Sequence, residues 1–130
     1  MRITSVELTD QEASDILSTA IEGGSTYWAD IEDRVRAGIN HDGVSTGSYL
    51  SARFTDAEAE ADGDEDPEHS DTVDIDTIKT GINNLLGGKV EVGDWVLGEI
   101  SAGLLNDMDI DAGCADVIVQ AGAFGSIVFG

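Results

Sequence analysis

The sequence predicts an α+β fold: a single small domain, residues 1–130, of about four to five helices with a few short strands. Three observations carry that prediction. The chain has 130 residues, about one domain's worth. Several segments repeat apolar residues at helical spacing, and two of them stop at a Gly–Gly pair, 23–24 and 87–88. Segments near both ends read as strands, so terminal strands that pair with each other would tie both ends down.

The elements follow in order. Residues 2–8 alternate, with Ile3, Ser5 and Glu7 on one side and Arg2, Thr4, Val6 and Leu8 on the other, which predicts a first strand. Thr9 and Glu12 form a capping box for a helix from Asp10 to Glu22. Its inner face is Ala13, Ile16, Leu17, Ala20 and Ile21, and Gly23–Gly24 supplies a left-handed stop. Ser25 caps a second predicted helix, Thr26–Ala37, with Trp28, Ile31 and Val35 as its stripe. Asp30 with Arg34 and Glu32 with Arg36 are its acid-first i, i+4 pairs. Asn40–Gly47 is turn-rich, and Tyr49–Phe54 alternates weakly as a strand.

Residues 56–71 contain no large apolar side chain and hold the only proline, Pro67, so they read as an acidic mobile loop. Val73–Leu86 is helical with Ile75, Ile78, Ile82, Leu85 and Leu86 on one stripe. Asp94 caps a helix to Leu105, and Asp109 or Asp111 caps a last one with Cys114, Val117, Ile118 and Ala121 inward. Ser126–Phe129 reads as a final strand.

The chain carries 27 Asp plus Glu against 6 Lys plus Arg, a net charge of −21. An acidic tail would be the bland explanation. The stretch 56–76 holds 11 of the acids, but the other 16 are spread from Glu7 to Asp116. In ordinary salt such a chain repels itself, whereas at molar salt the screening length falls to roughly 3 Å. We therefore read the sequence as halophilic, as from a haloarchaeon or a virus of one. Acidity is then background, with K+ and Na+ associating non-specifically with surface carboxylates, and it argues little for a basic partner. Direct binding to duplex DNA is disfavoured by charge and by salt competition. No run of about 18 apolar residues crosses a membrane, and the start lacks a secretory signal pattern, which implies a cytoplasmic setting.

Candidate chemistry is sparse. Asp62, Asp64 and Asp66, and Asp107, Asp109 and Asp111, match the first positions of a calcium loop. Pro67 and Ala112 then stand where the loop needs Gly, and Val73 and Ile118 where it needs Glu, so no metal and no cofactor is expected. His41 and His69 read as solvated loop histidines and Cys114 as a small buried hydrophobe. The glycine-rich stretches lack the Lys-Ser/Thr of a phosphate loop.

The most individual stretch is Glu22-Gly23-Gly24-Ser25-Thr26-Tyr27-Trp28, with two adjacent aromatics out of seven in the chain. One reading is a helix stop followed by aromatic core anchors. The other is a small concave site with Ser25 and Tyr27 as polar handles. Together with the C-terminal run from Ala115-Asp116 through Gln120 and Phe124-Gly125 to Ile127-Val128-Phe129-Gly130, this stretch resembles a family of small proteins from tailed phages, prophages and related archaeal viruses. The resemblance implies a viral or proviral origin and an intracellular setting, and it transfers no catalytic residues. The acidic middle departs from the family pattern as a halophilic elaboration.

These readings converge on an accessory protein that binds a protein partner or itself, rather than an enzyme. A rival is a small-ligand or enzymatic site built on Glu22, Gly23, Gly24, Ser25, Tyr27 and Trp28 with Gln120 and Phe124. A third is an acidic mimic of DNA. The charge generates one expectation at once. Lowering KCl from about 2 M to 0.1 M, where the screening length grows to roughly 10 Å, should melt the helices seen by circular dichroism. Helix content indifferent to salt over that range would refute the halophilic reading.

Overall fold

The computed structural model describes residues 4–39, 41–43, 45–65, 67–106 and 109–130. Arg2 and Ile3 of the expected first strand, Asn40 and Val44 of the expected turn, and Asp66 and Asp107 of the calcium-type spacings lie outside these residues. Five helices and a three-stranded antiparallel sheet form an α+β domain. In chain order these are α1 (Asp10–Thr19), β1 (Ala29–Ile39), β2 (Ser45–Asp56), α2 (Ala57–Ala61), β3 (Ser70–Asp74), α3 (Ile75–Leu86), α4 (Asp94–Leu105) and α5 (Ala112–Ala123). The sheet order is β1-β2-β3.

Helix α1 starts where its capping box predicts, with Thr9 and Glu12 exchanging both bonds. Ala13, Ile16, Leu17, Ala20 and Ile21 are all buried. The helix then widens into a π turn, Ala20–Gly24. The expected left-handed stop is absent, since neither Gly23 nor Gly24 has positive φ. Gly24 is needed for space instead, because a Cβ there would run into the Ala112 carbonyl at the start of α5. Ser14 and Ser18 dock α1 on the sheet: Ser14 Oγ donates to the Tyr49 carbonyl (2.6 Å), and Ser18 Oγ accepts from the Tyr49 amide (2.9 Å).

The predicted second helix is a strand. Residues Ala29–Ile39 pair with β2, Ile31 opposite Phe54, and neither expected i, i+4 ion pair exists. Arg53 of β2 holds Glu32 (2.8 Å) across the strands instead. Trp28, Ile31 and Val35 suit a helical stripe only as a sparse pattern, and Val35 is 49% exposed. A 12-residue partner strand supplies what local periodicity could not decide. Asp33 takes positive φ (52°) at a bulge between Glu32 and Val35.

The strand expected at 49–54 is present and longer, Ser45–Asp56. The acidic segment is not structureless throughout. Asp56 caps the short helix α2 by accepting from the Glu58 and Ala59 amides, and β3 begins at Ser70. That strand takes Val73 and Asp74 from the predicted third helix, which starts at Ile75. Helices α4 and α5 span the expected residues, and Asp111 caps α5 through the Cys114 amide (2.8 Å). Asp94 does not cap α4: it is the first helical residue, and the cap position is Gly93, which has no side chain to accept a bond.

Helix α5 is the centre of the core, buried at Cys114, Ala115, Asp116, Ile118, Val119, Gln120 and Ala121. It crosses α3 backbone to backbone at two glycines. A Cβ on Gly81 would strike the Ile118 carbonyl, and one on Gly122 the Thr77 carbonyl. Against α5 and α3 pack α1, the inner sheet residues Ala52, Phe54 and Val73, and Val90 beyond the end of α3.

The terminal segments do not pair as strands. Residues 4–9 and 127–130 belong to no sheet. Each is held by a side-chain amide that imitates a strand partner. Asn83 accepts from the Val6 amide (2.7 Å) and donates to the Val6 carbonyl (2.9 Å). Gln120 accepts from the Val128 and Phe129 amides (both 2.8 Å) and donates to the Phe129 carbonyl (2.9 Å). The partner groups for these backbones come from α3 and α5 instead of from neighbouring strands.

Candidate functional site

Two places stand out, and the first is where the singled-out residues meet. Asp116, one turn before Gln120 on α5, is 3% exposed and accepts four hydrogen bonds. Ser25 Oγ (2.7 Å) and Trp28 Nε1 (2.8 Å) donate to Oδ1. Tyr27 Oη (2.7 Å) and Gln120 Nε2 (2.9 Å) donate to Oδ2. The π turn and the tight bend after it, where the Ala29 amide bonds the Ser25 carbonyl, aim Ser25, Tyr27 and Trp28 at α5. Ser25 therefore serves the carboxylate and does not cap a helix.

Aromatic packing surrounds this network. Trp28, 5% exposed, stacks on Phe129 with ring centroids 4.4 Å apart and planes 5° apart. Phe124 meets Trp28 edge-on at 5.6 Å, and Phe54 lies at 6.3 Å. His69, expected in solvent, is half-buried with its ring against Phe124 (4.8 Å) and Phe129 (5.5 Å). His41 is exposed beside Asp42.

Of the predicted site residues, Ser25, Tyr27, Trp28, Gln120 and Phe124 are brought together. Glu22 and Gly23 are exposed and outside the network, and Gly24 serves the contact with α5. Asp116, the residue that organises the others, was not singled out. Its signal is an acid inside the otherwise apolar turn Cys114-Ala115-Asp116-Val117-Ile118. A cleft of about 350 Å³ opens beside the network between Tyr27, Trp28, Asp56, Glu58, Val128 and Phe129. Both Asp116 oxygens are already taken by protein donors, so the carboxylate acts as an anchor for the chain around it.

The second place is a groove of about 330 Å³ between α4 and α5, lined by Trp95, Val96, Glu99, Asp111, Cys114 and Val117. Trp95 is 71% exposed and, further along α4, Leu105 is 78% exposed. Glu99, Asp111 and Cys114 are the group among the described residues whose ligand atoms could share a metal ion, one atom of each lying within 4.8 Å of the others. Burial, with the Asp111 and Glu99 carboxylates beside it, pushes the Cys114 thiol up to about 12, so at neutral pH it is a thiol and a poor nucleophile.

Compared with known proteins, the chain matches no family model, no curated protein and no solved structure.

Tyr27 shares the direction of the Cys114 shift. Burial and the hydrogen bond to Asp116 raise its phenol from 10.0 to about 12. Both groups are neutral in the fold, so their contribution is complete below their unfolded values and is lost as pH rises through the folded ones. Stability in high salt should hold up to pH 9 and fall between 9 and 12, the window set by the two shifts. Cys114→Ala should remove the early part of the fall and Tyr27→Phe the later part, as read from urea midpoints against pH. A profile with no alkaline loss would contradict both assignments.

Proposed function

We propose that the protein is a small accessory factor of a virus or provirus of a high-salt host, acting in the cytoplasm by binding a protein partner. The observation that carries the binding reading is helix α4. Seven of its twelve residues are Trp, Val, Leu, Ile or Ala, yet only Ile100 and Gly103 are buried. A helix apolar on most sides is normally covered on most sides. Trp95, one of two tryptophans, is spent on solvent at the mouth of an apolar groove. Large aromatics at such positions are the commonest anchors of protein interfaces.

Other features support the same reading. The Asp116 network ties together residues of both stretches that resemble the viral family, which fits a shared structural unit better than a reactive centre. The charge of −21 supports the saline setting and speaks against direct duplex DNA binding. None of the described helices is long and apolar enough to cross a membrane.

Replacing Trp95 by Ser tests the binding reading. The exposed side chain should cost stability no more than about 0.5 kcal/mol. In molar KCl, bait protein should retain a partner from host lysate that the Trp95→Ser bait loses. Identical sets of bound proteins on the two baits would contradict an interface on α4.

A further inference from the structure

We infer that the α4–α5 groove receives an arginine carried by an apolar segment of the partner protein. This inference rests on the interaction reading above and names the chemistry of the partner.

The groove has two unlike parts. Trp95, Val96 and Val117 make an apolar wall, and Glu99 and Asp111 close it with carboxylates. No Lys, Arg or His is among the residues that line it. The general acidity of the chain is a diffuse coat and selects no partner. These two carboxylates differ from the coat because one oxygen of each lies within 4.8 Å of the other and of the Cys114 sulfur. Both carboxylates are exposed, and at that spacing a single incoming cation can contact the two together. The local field is already felt by Cys114, whose thiol is held protonated partly by these same groups. The α5 N-terminus opposes a cation with about half a positive charge, which two full carboxylates outweigh.

An arginine fits this pairing better than a lysine. Its planar fork can span two carboxylates, and its face can lie on the Trp95 indole. Its methylene stem would cover the apolar wall. Molar salt weakens exposed ion pairs strongly, so the contact relies on the apolar segment that carries the arginine covering these exposed carboxylates as it docks on Trp95, Val96 and Val117. A second copy of this chain is the poorer occupant. A symmetric contact through α4 would bring two Glu99–Asp111 pairs face to face between chains of charge −21.

The test uses three synthetic amphipathic peptides with leucines on one face and a central arginine, citrulline or glutamate. Each is titrated into the full chain in 2 M KCl while the Trp95 indole signal is followed by nuclear magnetic resonance. The arginine peptide should bind about tenfold tighter than the citrulline peptide, the scale of one charge-assisted contact. Glu99→Gln with Asp111→Asn should abolish that difference. Asn is as good a helix cap as Asp, so the double variant keeps the fold.

Equal binding of all three peptides would overturn the arginine inference and leave apolar docking on α4 standing. Tighter binding of the glutamate peptide would also overturn it. Binding of none, with a dimer in light scattering that Trp95→Ser dissolves, would make the second copy the occupant. Binding of none, with a monomer and no partner lost by the Trp95→Ser bait, would end both readings.

Discussion

A carboxylate buried in the middle of a core is tolerable only if the fold brings donors to it, and Asp116 makes that demand of this chain. Leaving it without partners would cost several kcal/mol. Four side chains meet the demand, and they come from places about 90 residues apart in sequence as well as from its own helix. Ser25, Tyr27 and Trp28 can reach it only if α1 ends in the π turn and the chain bends sharply before β1. The start of the sheet is thereby positioned against α5. Gln120 completes the set, and with its remaining groups it fixes Val128 and Phe129. Phe129 then covers Trp28. One charge thus coordinates the end of α1, the entry to the sheet and the last residues of the chain.

The acidity of the surface and the acid in the core are opposite uses of one residue type. Surface carboxylates stay hydrated and are tolerable in molar salt because screening is short-ranged there. Asp116 is shielded from salt and water alike, so its interactions are set by geometry and should not follow ionic strength. Under the halophilic reading proposed above, salt would govern whether the chain collapses at all, while Asp116 selects the arrangement it collapses into. Helix α4 is outside both constraints. It follows from neither the Asp116 network nor the α3–α5 crossing, and it presents apolar surface at Trp95 and Leu105 that the described residues leave exposed.

Much of the fold was legible in the sequence wherever the controlling interactions are local. Thr9 with Glu12, Asp111 at the start of α5, and the stripes of α1 and α3 are decided within one or two turns. Strand β1 was not legible. Its stripe of Trp28, Ile31 and Val35 satisfies a helical period, and only pairing with β2 makes it a strand. The terminal segments read as strands, but the described residues 4–9 and 127–130 belong to no sheet, and their partners are the side chains of Asn83 and Gln120. No local pattern distinguishes a glutamine that binds backbone from one that faces water. The candidate site was half legible for the same reason. Composition and spacing draw attention to Ser25, Tyr27 and Trp28, while Asp116 shows in the sequence as an acid inside an apolar helical turn, and its partners become visible only where α5 lies beneath them.

The account's central claim is that the Asp116 carboxylate holds the two ends of this network together. The most direct measurement is the unfolding free energy of Asp116→Ala in molar KCl, where the surface charge is screened for parent and variant alike. Removing the acceptor leaves the buried Ser25 and Trp28 donors without a partner, at about 1–3 kcal/mol for each unsatisfied group, while Gln120 keeps its bond to the Phe129 carbonyl. The predicted result is a loss of about 3 kcal/mol or more. A loss below about 1 kcal/mol, the size of an ordinary surface substitution, would show that the fold does not depend on this carboxylate.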